Sequence, residues 1–336
     1  MNLQTLSKTA INLVAQKKGI LAADESSGTI KKRFDSINVD STEVTRRNYR
    51  ELLFTTNNVS QFISGIILYD ETMRQDGNDG ISLVKTITEN GMIPGIKVDK
   101  GAKPLAGSNS ETITEGLDGL RERLDEYSEL GAKFTKWRGV IEIGNSTPTQ
   151  YCIKANAHAL ARFAALSQEA GLVPIVEPEV LMDGTHDINT CLKVTETTLR
   201  EVYYELGCQN VALEGTLLKP NMVLSGKNAS ERASSEEVAE KTLACLMNTV
   251  PSSVPGIVFL SGGQSDEEAT INLNSINKAA KSVAAPWQLS FSYGRGLQAS
   301  PLKEWKGKDS NTRAAQNSFY QRAEVTSAAR EGTYSA

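Results

Sequence analysis

Histidine is scarce in this sequence, with His158 and His186 the two present among 336 residues. Neither has a histidine partner at a ligand spacing such as HxH or HExxH. The glycine-rich GxGxxG and GxxxxGK[ST] loops that hold nucleotides are also missing. We therefore expect no catalytic metal and no cofactor. Any chemistry should rest on Lys, Asp, Glu and Ser side chains.

Paired cysteines, long apolar runs and clustered basic residues are missing as well. Four cysteines are widely spaced without a CxxC pair, which indicates reduced thiols and a cytoplasmic location: Cys152, Cys191, Cys208 and Cys245. The apolar stretches are far shorter than a membrane span, and the N-terminus lacks the apolar core of a secretory signal, so we expect no membrane partner. Lys and Arg are scattered and the net charge is −4, which argues against nucleic acid as a partner.

Short apolar runs alternate with longer segments of helical periodicity along most of the chain. The predicted strands are Gly19–Asp24, Ser64–Asp70, Ile93–Asp99, Phe134–Val140, Val173–Glu179, Val211–Lys219, Gly256–Gly262 and Trp287–Tyr293. The clearest predicted helices are Glu115–Leu130, Thr149–Ala170, Asp187–Leu206, Ser234–Val250 and Ser265–Lys281. This alternation favours an α/β fold, the (β/α)8 TIM barrel. The alternative is a doubly wound open sheet, but the phosphate loops typical of it are absent.

The domain organisation is predicted to be simple. No Pro- or Ser-rich linker and no internal repeat divides the chain, so we expect a single domain over residues 1–336. The last residues, at about 330–336, are polar and are expected to form a short, loose tail.

Charged residues occur at alternate positions near the ends of several predicted strands. The pairs are Lys97 with Asp99, Lys136 with Arg138, and Glu177 with Glu179, while Asp24 and Lys219 end two other strands. Residues i and i+2 of a strand share a face, and the carboxyl ends of barrel strands carry the active site. We expect these side chains to meet in one mouth. The alternative is a set of buried ion pairs that fills a polar layer of the barrel.

Lys219 is the most informative of these residues because it follows an apolar run, Val211-Ala-Leu-Glu-Gly-Thr-Leu-Leu. Apolar surroundings and nearby cations disfavour the ammonium form and free a lone pair for attack on a carbonyl. Such an amine is a Schiff-base nucleophile. The alternative is a lysine that ends a strand and reaches water.

Two glycine-rich strings after the last two strands predict a phosphate site. They are Ser261-Gly262-Gly263 and Gly294-Arg295-Gly296. Glycine lets backbone N–H groups approach an anion, and arginine can clamp it in a bidentate manner. Arg33, on a predicted helix, is either a second anion contact or part of a solvated helical face.

The strings GILAADESSGTIKKR, GIKVDKG, KWR, VPIVEPE, LEGTLLKPNM, FLSGGQS and FSYGRGLQAS resemble class I fructose-1,6-bisphosphate aldolase, in order from about residue 5 to about residue 330. The resemblance implies a metal-free (β/α)8 barrel, usually tetrameric, that acts on sugar phosphates. It implies reversible cleavage of fructose 1,6-bisphosphate to dihydroxyacetone phosphate and glyceraldehyde 3-phosphate through a lysine Schiff base.

The resemblance also implies roles for five catalytic residues. Lys219 is similar to the Schiff-base lysine, and Asp24 to the residue that handles the C4-hydroxyl proton. Glu177 is similar to the acid/base that dehydrates the carbinolamine, with Glu179 as its supporting neighbour. Lys136 is similar to the lysine that assists the carbinolamine and carbanion steps.

The remaining predicted contacts are to substrate. By the same resemblance, Ser261, Gly262 and Arg295 correspond to the ketose C1-phosphate site. Lys97 and Arg138 resemble sugar or phosphate contacts, and Arg33 resembles the contact to the far phosphate.

One departure and two alternatives accompany this reading. Vertebrate and plant members end in a tail with a terminal tyrosine that helps to protonate C3, whereas this sequence stops at Ala336, and the role is not transferred to Tyr334. We expect cleavage to survive and the C3 proton transfer to be affected. The alternatives are an aldolase that prefers sedoheptulose 1,7-bisphosphate or fructose 1-phosphate, and a non-catalytic binding scaffold on the same barrel.

Overall fold

Eight parallel strands close into a barrel in the computed structural model, which describes residues 2–335. The strands in chain order are β1 (Gly19–Ala23), β2 (Ile63–Leu68), β3 (Ile93–Lys97), β4 (Ala102–Pro104), β5 (Thr112–Thr114), β6 (Phe134–Ile141), β7 (Val173–Val180), β8 (Leu217–Leu218), β9 (Gly256–Phe259) and β10 (Gln288–Tyr293). β4 and β5 form a separate antiparallel hairpin, and the order around the barrel is β1-β10-β9-β8-β7-β6-β3-β2. The pairing of Ile20 with Ser292 closes the ring. This confirms the predicted barrel and excludes the open sheet.

Helices surround the barrel and link its strands. They are α1 (Leu3–Leu13), α2 (Ser27–Asp35), α3 (Glu43–Phe54), α4 (Asp70–Met73), α5 (Leu83–Glu89), α6 (Leu120–Glu129), α7 (Gln150–Glu169), α8 (Ile188–Cys208), α9 (Ser235–Thr249), α10 (Asp266–Ser282), α11 (Arg295–Trp305) and α12 (Thr312–Arg330). Short 3-10 turns lie at Val59–Gln61, Leu213–Gly215 and Asp309–Asn311. No helix within residues 2–335 has the length and apolar character needed to cross a membrane.

Burial on both faces explains why the strands are apolar over most of their length instead of alternating between apolar and polar residues. Every residue of β1, β2 and β7 is buried. One apolar cluster fills the barrel below the charged mouth and includes Ile20, Phe134 and Val258, with Leu6 and Leu13 of α1 closing its lower end. A larger cluster lies between the strands and the outer helices. The filled interior leaves the carboxyl ends of the strands as the open end of the barrel.

Side-chain oxygens cap the starts of several helices. Ser234 accepts a hydrogen bond from the Glu237 N–H, and Ser265 forms a capping box with Glu268. Side chains of Thr149 and Asp187 cap α7 and α8 in the same way. These oxygens satisfy N–H groups that have no partner inside the helix.

The predicted strand Val211–Lys219 is wrong over most of its length. Residues 213–215 form a 3-10 turn, and the strand is reduced to Leu217–Leu218. The Gln168 amide explains this, because its nitrogen donates to the carbonyls of Ala212 and Gly215 and its oxygen accepts from the Ala212 N–H. A side chain from α7 thus takes the place of a neighbouring strand as the hydrogen-bond partner of this backbone. The ladder resumes where the Lys219 N–H donates to the Val176 carbonyl at 2.8 Å.

The predicted helix Glu115–Leu130 begins five residues late, at Leu120. Glu115 continues the β4–β5 hairpin by exchanging backbone hydrogen bonds with Lys100 and Gly101. Gly116 and Gly119 have φ of +128° and +63°, which a continuous helix does not accommodate. The helical periodicity of the segment is therefore real only beyond Gly119.

The segment after α12, predicted as a loose tail, makes defined contacts as far as Tyr334. The Glu331 carboxylate accepts a hydrogen bond from the Lys17 N–H at 3.0 Å. The Asn274 side chain accepts one from the Tyr334 N–H at 3.0 Å, and the Tyr334 side chain packs on the core. Lys17 lies two residues before the start of β1, so this segment lies at the amino end of the strands, away from the mouth.

Candidate active site

A cavity of about 750 Å³ opens at the carboxyl ends of the barrel strands. The structure brings all eleven predicted site residues to its wall: Asp24, Arg33, Lys97, Lys136, Arg138, Glu177, Glu179, Lys219, Ser261, Gly262 and Arg295. They come from positions spread over most of the sequence. The alternation of charged residues at strand ends therefore does predict a common mouth.

Four of these side chains form a chain of alternating charge at the bottom of the cavity. Lys136 Nζ lies 2.8 Å from Asp24 Oδ2 and 3.1 Å from Glu177 Oε2. The other oxygen of Glu177, Oε1, lies 3.1 Å from Lys219 Nζ. None of the four residues is more than 9% exposed. Lys136 and Glu177 lie in β6 and β7, and Asp24 and Lys219 directly follow β1 and β8, so the closed barrel is what assembles the row.

Burial and charge oppose each other in this row, and charge decides the outcome. Burial by itself raises the pKa of Asp24, but Lys136, Lys219 and Lys97 together outweigh it and hold that pKa well below its usual value. For Glu177 burial also raises the pKa, and Lys136, Lys219 and Arg138 lower it below the usual value. Burial lowers the pKa of Lys136, whereas Asp24 and Glu177 raise it by more. Asp24 and Glu177 are therefore ionised and Lys136 is protonated at neutral pH.

A second set of ion pairs lies above the row, on β3, β6 and β7. Arg138 is paired with Glu179 through its Nε atom. Lys97 Nζ lies 2.8 Å from Asp99 Oδ1, and the other oxygen of Asp99 accepts the Arg138 N–H at 3.3 Å. Glu179 is thus paired with Arg138, whereas Glu177 is paired with Lys136 and Lys219. Lys97 and Arg138 form one cationic side of the mouth.

The glycine-rich turns after β9 and β10 form the opposite side. Gly263 has φ of +76°, in the region that favours glycine, and a Cβ on it would lie 2.4 Å from Met182 Cβ. A Cβ on Gly296 would lie 3.1 Å from Ser261 Oγ, so the two turns pack closely. Arg295 adds a guanidinium, anchored by a 3.3 Å hydrogen bond to the Gln264 carbonyl. Backbone approach plus a fixed guanidinium suits a phosphate.

Arg33 lies next to the glycine-rich turns after β9 and β10 rather than beside Lys97 and Arg138. Its Nη2 atom is 3.6 Å from where a Cβ of Gly294 would stand. The reason is the ring closure, since β1 precedes α2 and is the neighbour of β10 in the barrel. Arg33 is partly exposed, with a quarter of its side chain in solvent, and occupies the rim.

Two further buried carboxylates line the cavity wall, of which Glu25 was missed and Asp99 was expected in the mouth without an assigned role. Glu25 directly follows Asp24, and it accepts hydrogen bonds from Arg33 and from Gln298. Asp99 orients Lys97 and the Arg138 backbone, as described above. The signal for Asp99 was its spacing of two from Lys97, whereas nothing local distinguishes the partners of Glu25 because Gln298 is remote in sequence.

A lysine flanked by carboxylates at the mouth of a β/α barrel, beside a phosphate cradle, defines a class of protein: a lyase that acts on phosphorylated carbonyl compounds. Comparison with family profiles matches residues 5–336 to "Fructose-bisphosphate aldolase class-I". The chain belongs to this family.

Individual proteins similar to this chain are also named as fructose-bisphosphate aldolases. The chain is 56% identical over 335 residues to a probable fructose-bisphosphate aldolase class 1 of Xanthomonas campestris, covering 99% of both chains. It is 55% identical to cytosolic aldolase 4 of Arabidopsis thaliana, over 94% of this chain and 80% of that one. A solved fructose-bisphosphate aldolase of Plasmodium falciparum, in complex with TRAP and a small-molecule inhibitor, has a TM-score of 0.97 at 48% identity, covering 99% of this chain and 96% of that one.

These findings confirm the predicted activity. The chain is a fructose-bisphosphate aldolase, an enzyme of glycolysis that binds sugar phosphates. A non-catalytic scaffold, one of the alternatives above, has no support in them.

Proposed function

We propose that Lys219 attacks the C2 ketone of fructose 1,6-bisphosphate and forms a Schiff base through which the C3–C4 bond is cleaved. The observation that carries this proposal is the buried row Asp24, Lys136, Glu177 and Lys219, with its alternating charges. The iminium formed at Lys219 takes up the electron pair of the C3–C4 bond. Glyceraldehyde 3-phosphate leaves first. A proton then returns to C3, and hydrolysis of the iminium frees dihydroxyacetone phosphate and regenerates Lys219.

Glu177 handles the proton of the amine. Lys219 must lose a proton before it can attack, and the Glu177 carboxylate lies 3.1 Å from its nitrogen. Glu177 starts ionised, so one of its oxygens is free to accept that proton as the amine attacks the ketone. Attack leaves a proton on the nitrogen and a negative charge on the oxygen, and that proton moves to the oxygen to give the carbinolamine hydroxyl. The protonated carboxyl then acts as the acid that releases this hydroxyl as water. One group thus serves both steps without a proton from solvent.

Asp24 accepts the proton of the C4 hydroxyl as the C3–C4 bond breaks. Its lowered pKa keeps it ionised, and Lys136 Nζ at 2.8 Å orients it. Lys136 remains protonated, and its charge stabilises the negative charge that develops on the carbinolamine oxygen and the carbanion. Glu179 holds Arg138 and supports the row from the neighbouring layer.

The two phosphates set the direction of the substrate in the cavity. Ser261, Gly262 and Arg295 hold the C1 phosphate, since the turns after β9 and β10 lie near Lys219, which must reach C2. The C4 hydroxyl lies at Asp24 on the β1 side, so the second phosphate lies beyond it. Arg33, which lies near Gly294 at the β1 side of the rim, is the proposed contact to this phosphate, and Lys97 and Arg138 are proposed as further sugar or phosphate contacts on the opposite side of the mouth.

Borohydride trapping tests the covalent step. Reduction in the presence of dihydroxyacetone phosphate should inactivate the enzyme and attach the triose to Lys219, identified by peptide mass mapping. A Lys219→Arg variant is the matched control and should take up no label. Label on Lys97 or Lys136 would assign the nucleophile to another lysine.

Substrate preference has one open alternative. An aldolase that prefers sedoheptulose 1,7-bisphosphate or fructose 1-phosphate would use the same row of side chains. Relative kcat/KM values on these ketoses and on fructose 1,6-bisphosphate separate the two, and we expect the last to be the highest.

We further propose that the chain acts as a single domain in a cytoplasmic homotetramer. Support comes from the family resemblance, from the continuous core around one barrel, and from relatives of Arabidopsis thaliana named as cytosolic. Light scattering coupled to size-exclusion chromatography should give four times the chain mass of 36.4 kDa.

A further inference from the structure

Glu25 is a buried carboxylate at the wall of the cavity that the proposed reaction does not use. It is 7% exposed and follows Asp24 at the end of β1. Its Oε1 atom accepts hydrogen bonds from Arg33 Nη1 and from Gln298 Nε2. Gln298 also donates to the Ala22 carbonyl at 2.7 Å, which fixes the amide against β1.

Arg33 depends on this carboxylate for its position. Within residues 2–335, Glu25 is the one side chain to which the Arg33 guanidinium is paired. Arg33 lies on the rim with a quarter of its side chain exposed, whereas Glu25 is buried. The guanidinium is therefore held over the mouth by a single charged partner that is itself rigidly placed.

The second oxygen of Glu25 has a further cation within short reach. Oε2 carries no hydrogen bond among the described residues, and Arg50 Nη2 lies 3.9 Å from it. Arg50 is 1% exposed and is anchored by the Glu25 carbonyl at 2.7 Å and by Thr72 Oγ1 at 2.6 Å. A small rotation of the carboxylate would let Arg50 pair with Glu25 when Arg33 leaves. Gln298 still donates to Oε1, and a closer approach of Arg50 keeps a cation beside the buried carboxylate, which limits the free-energy cost of releasing Arg33.

We propose that Glu25 is a positioning residue for anion recognition, which holds Arg33 over the mouth and competes with a substrate phosphate for its guanidinium. When Arg33 turns to the phosphate, Glu25 moves closer to Arg50. The affinity of the Arg33 side of the mouth for a phosphate is accordingly lowered by this competition, because the carboxylate already engages Nη1. The ligand class rests on the proposed function, in which Arg33 contacts a phosphate of the ketose.

The test measures binding of a hexitol 1,6-bisphosphate by calorimetry at fixed ionic strength. This probe has no ketone and cannot form a Schiff base, so its binding is independent of whether Lys219 is the nucleophile. Glu25→Gln should bind it roughly two- to fivefold more tightly, the range expected for a partly exposed ion pair. Arg33→Ala should bind it more weakly, and adding Glu25→Gln to Arg33→Ala should change nothing further.

Asp183→Asn is the matched control, because Asp183 also lines the cavity and carries the same charge, but is not paired with Arg33. Asp183→Asn should change the affinity for the hexitol bisphosphate only slightly, and by the same factor in the parent and in the Arg33→Ala background. Thermal unfolding of each variant establishes that it is folded. If Glu25→Gln does not fold, Glu25→Asp keeps the charge beside Arg50 on a shorter arm, and it should also tighten binding.

Two outcomes would overturn the proposal. One is weaker binding by a folded Glu25→Gln or Glu25→Asp variant. The other is a gain from Glu25→Gln that persists in the Arg33→Ala background, which would make the effect one of general charge. Failure of borohydride trapping at Lys219 with the calorimetric result intact would affect the proposed reaction alone.

Discussion

At the scale of single residues, neighbouring opposite charges outweigh burial and keep the ionisable groups of the site charged. Three of the four members of the buried row are ionised because each is surrounded by opposite charge, although burial opposes every one of them. Lys136 is central, since it contacts both carboxylates and neither contacts the other through a hydrogen bond. Removing it should change the protonation of its neighbours as well as the chemistry.

We expect Lys136→Met to destabilise the enzyme in a pH-dependent manner. In the parent the folded pKa values of Asp24 and Glu177 lie below the unfolded value of about 4, so their contribution is present above that pH and is lost as the pH falls through the folded pKa. Without Lys136, burial raises the folded pKa values, and a fall in pH then favours the folded variant. The variant should lose about 3–5 kcal/mol at pH 8 and less at pH 5.

Urea unfolding at several pH values between these limits measures the difference. Lys133→Met, at an exposed lysine just before β6, is the control and should show little effect at any pH. A difference between Lys136→Met and the parent that does not change with pH would contradict the assigned ionisation.

At the scale of elements, short turns rather than strands shape the phosphate side of the mouth. The turn after β9 passes so close to Met182 that a side chain on Gly263 has no room. The turn after β10 packs on Ser261 through Gly296. Backbone N–H groups can then face a phosphate only while these turns keep their path.

Gly263→Ala should therefore impair substrate binding as well as stability. The positive φ and the contact with Met182 should cost about 1–3 kcal/mol and displace the turn. We expect KM for phosphorylated ketoses to rise several-fold, with a smaller change in kcat. Gly171→Ala is the matched control, because Gly171 has φ of +75° and nothing within 4 Å of the added Cβ. It should lose stability without a change in KM, and a KM change as large as that of Gly263→Ala would contradict this account.

At the scale of the whole molecule, the two ends of the barrel serve different purposes. The carboxyl end holds the charged cavity, and the amino end is closed by α1 and by the last turn of α12. Arg330, which is 5% exposed, ties α12 to the barrel by donating to the carbonyls of Val14 and Lys18 and to the side chain of Gln288. This end should govern stability and leave the chemistry alone.

Arg330→Ala should lower the free energy of unfolding by about 3–5 kcal/mol, because buried carbonyls lose their donors and Glu331 loses its partner. Activity of the folded fraction should be unchanged in both kcat and KM. Arg313→Ala, on the exposed face of the same helix, is the control and should leave both the free energy of unfolding and the activity unchanged. A rise in KM for Arg330→Ala would show that the two ends are coupled.

Much of the site could be predicted from local patterns. Alternation along a strand places Lys136 with Arg138, and Glu177 with Glu179, on one face whatever the rest of the fold does. The fold class follows from the same local rhythm of apolar runs and capped helices. The strand predicted at Val211–Lys219 failed because the amide of Gln168, on another helix, satisfies the backbone there.

The sequence by itself thus determined the order of strands and helices, the residues at each strand end and the class of reaction they suit, since these depend on neighbours along the chain. The tertiary structure alone decided which strand ends face each other. Closure of the ring places β1 beside β10, and so brings Arg33 to Gly294 and Gln298 to Glu25. It also decided that Glu177 lies between two lysines, which fixes its charge. Such pairings depend on the packing of distant segments and on the loss of water from the mouth, and no local pattern encodes either.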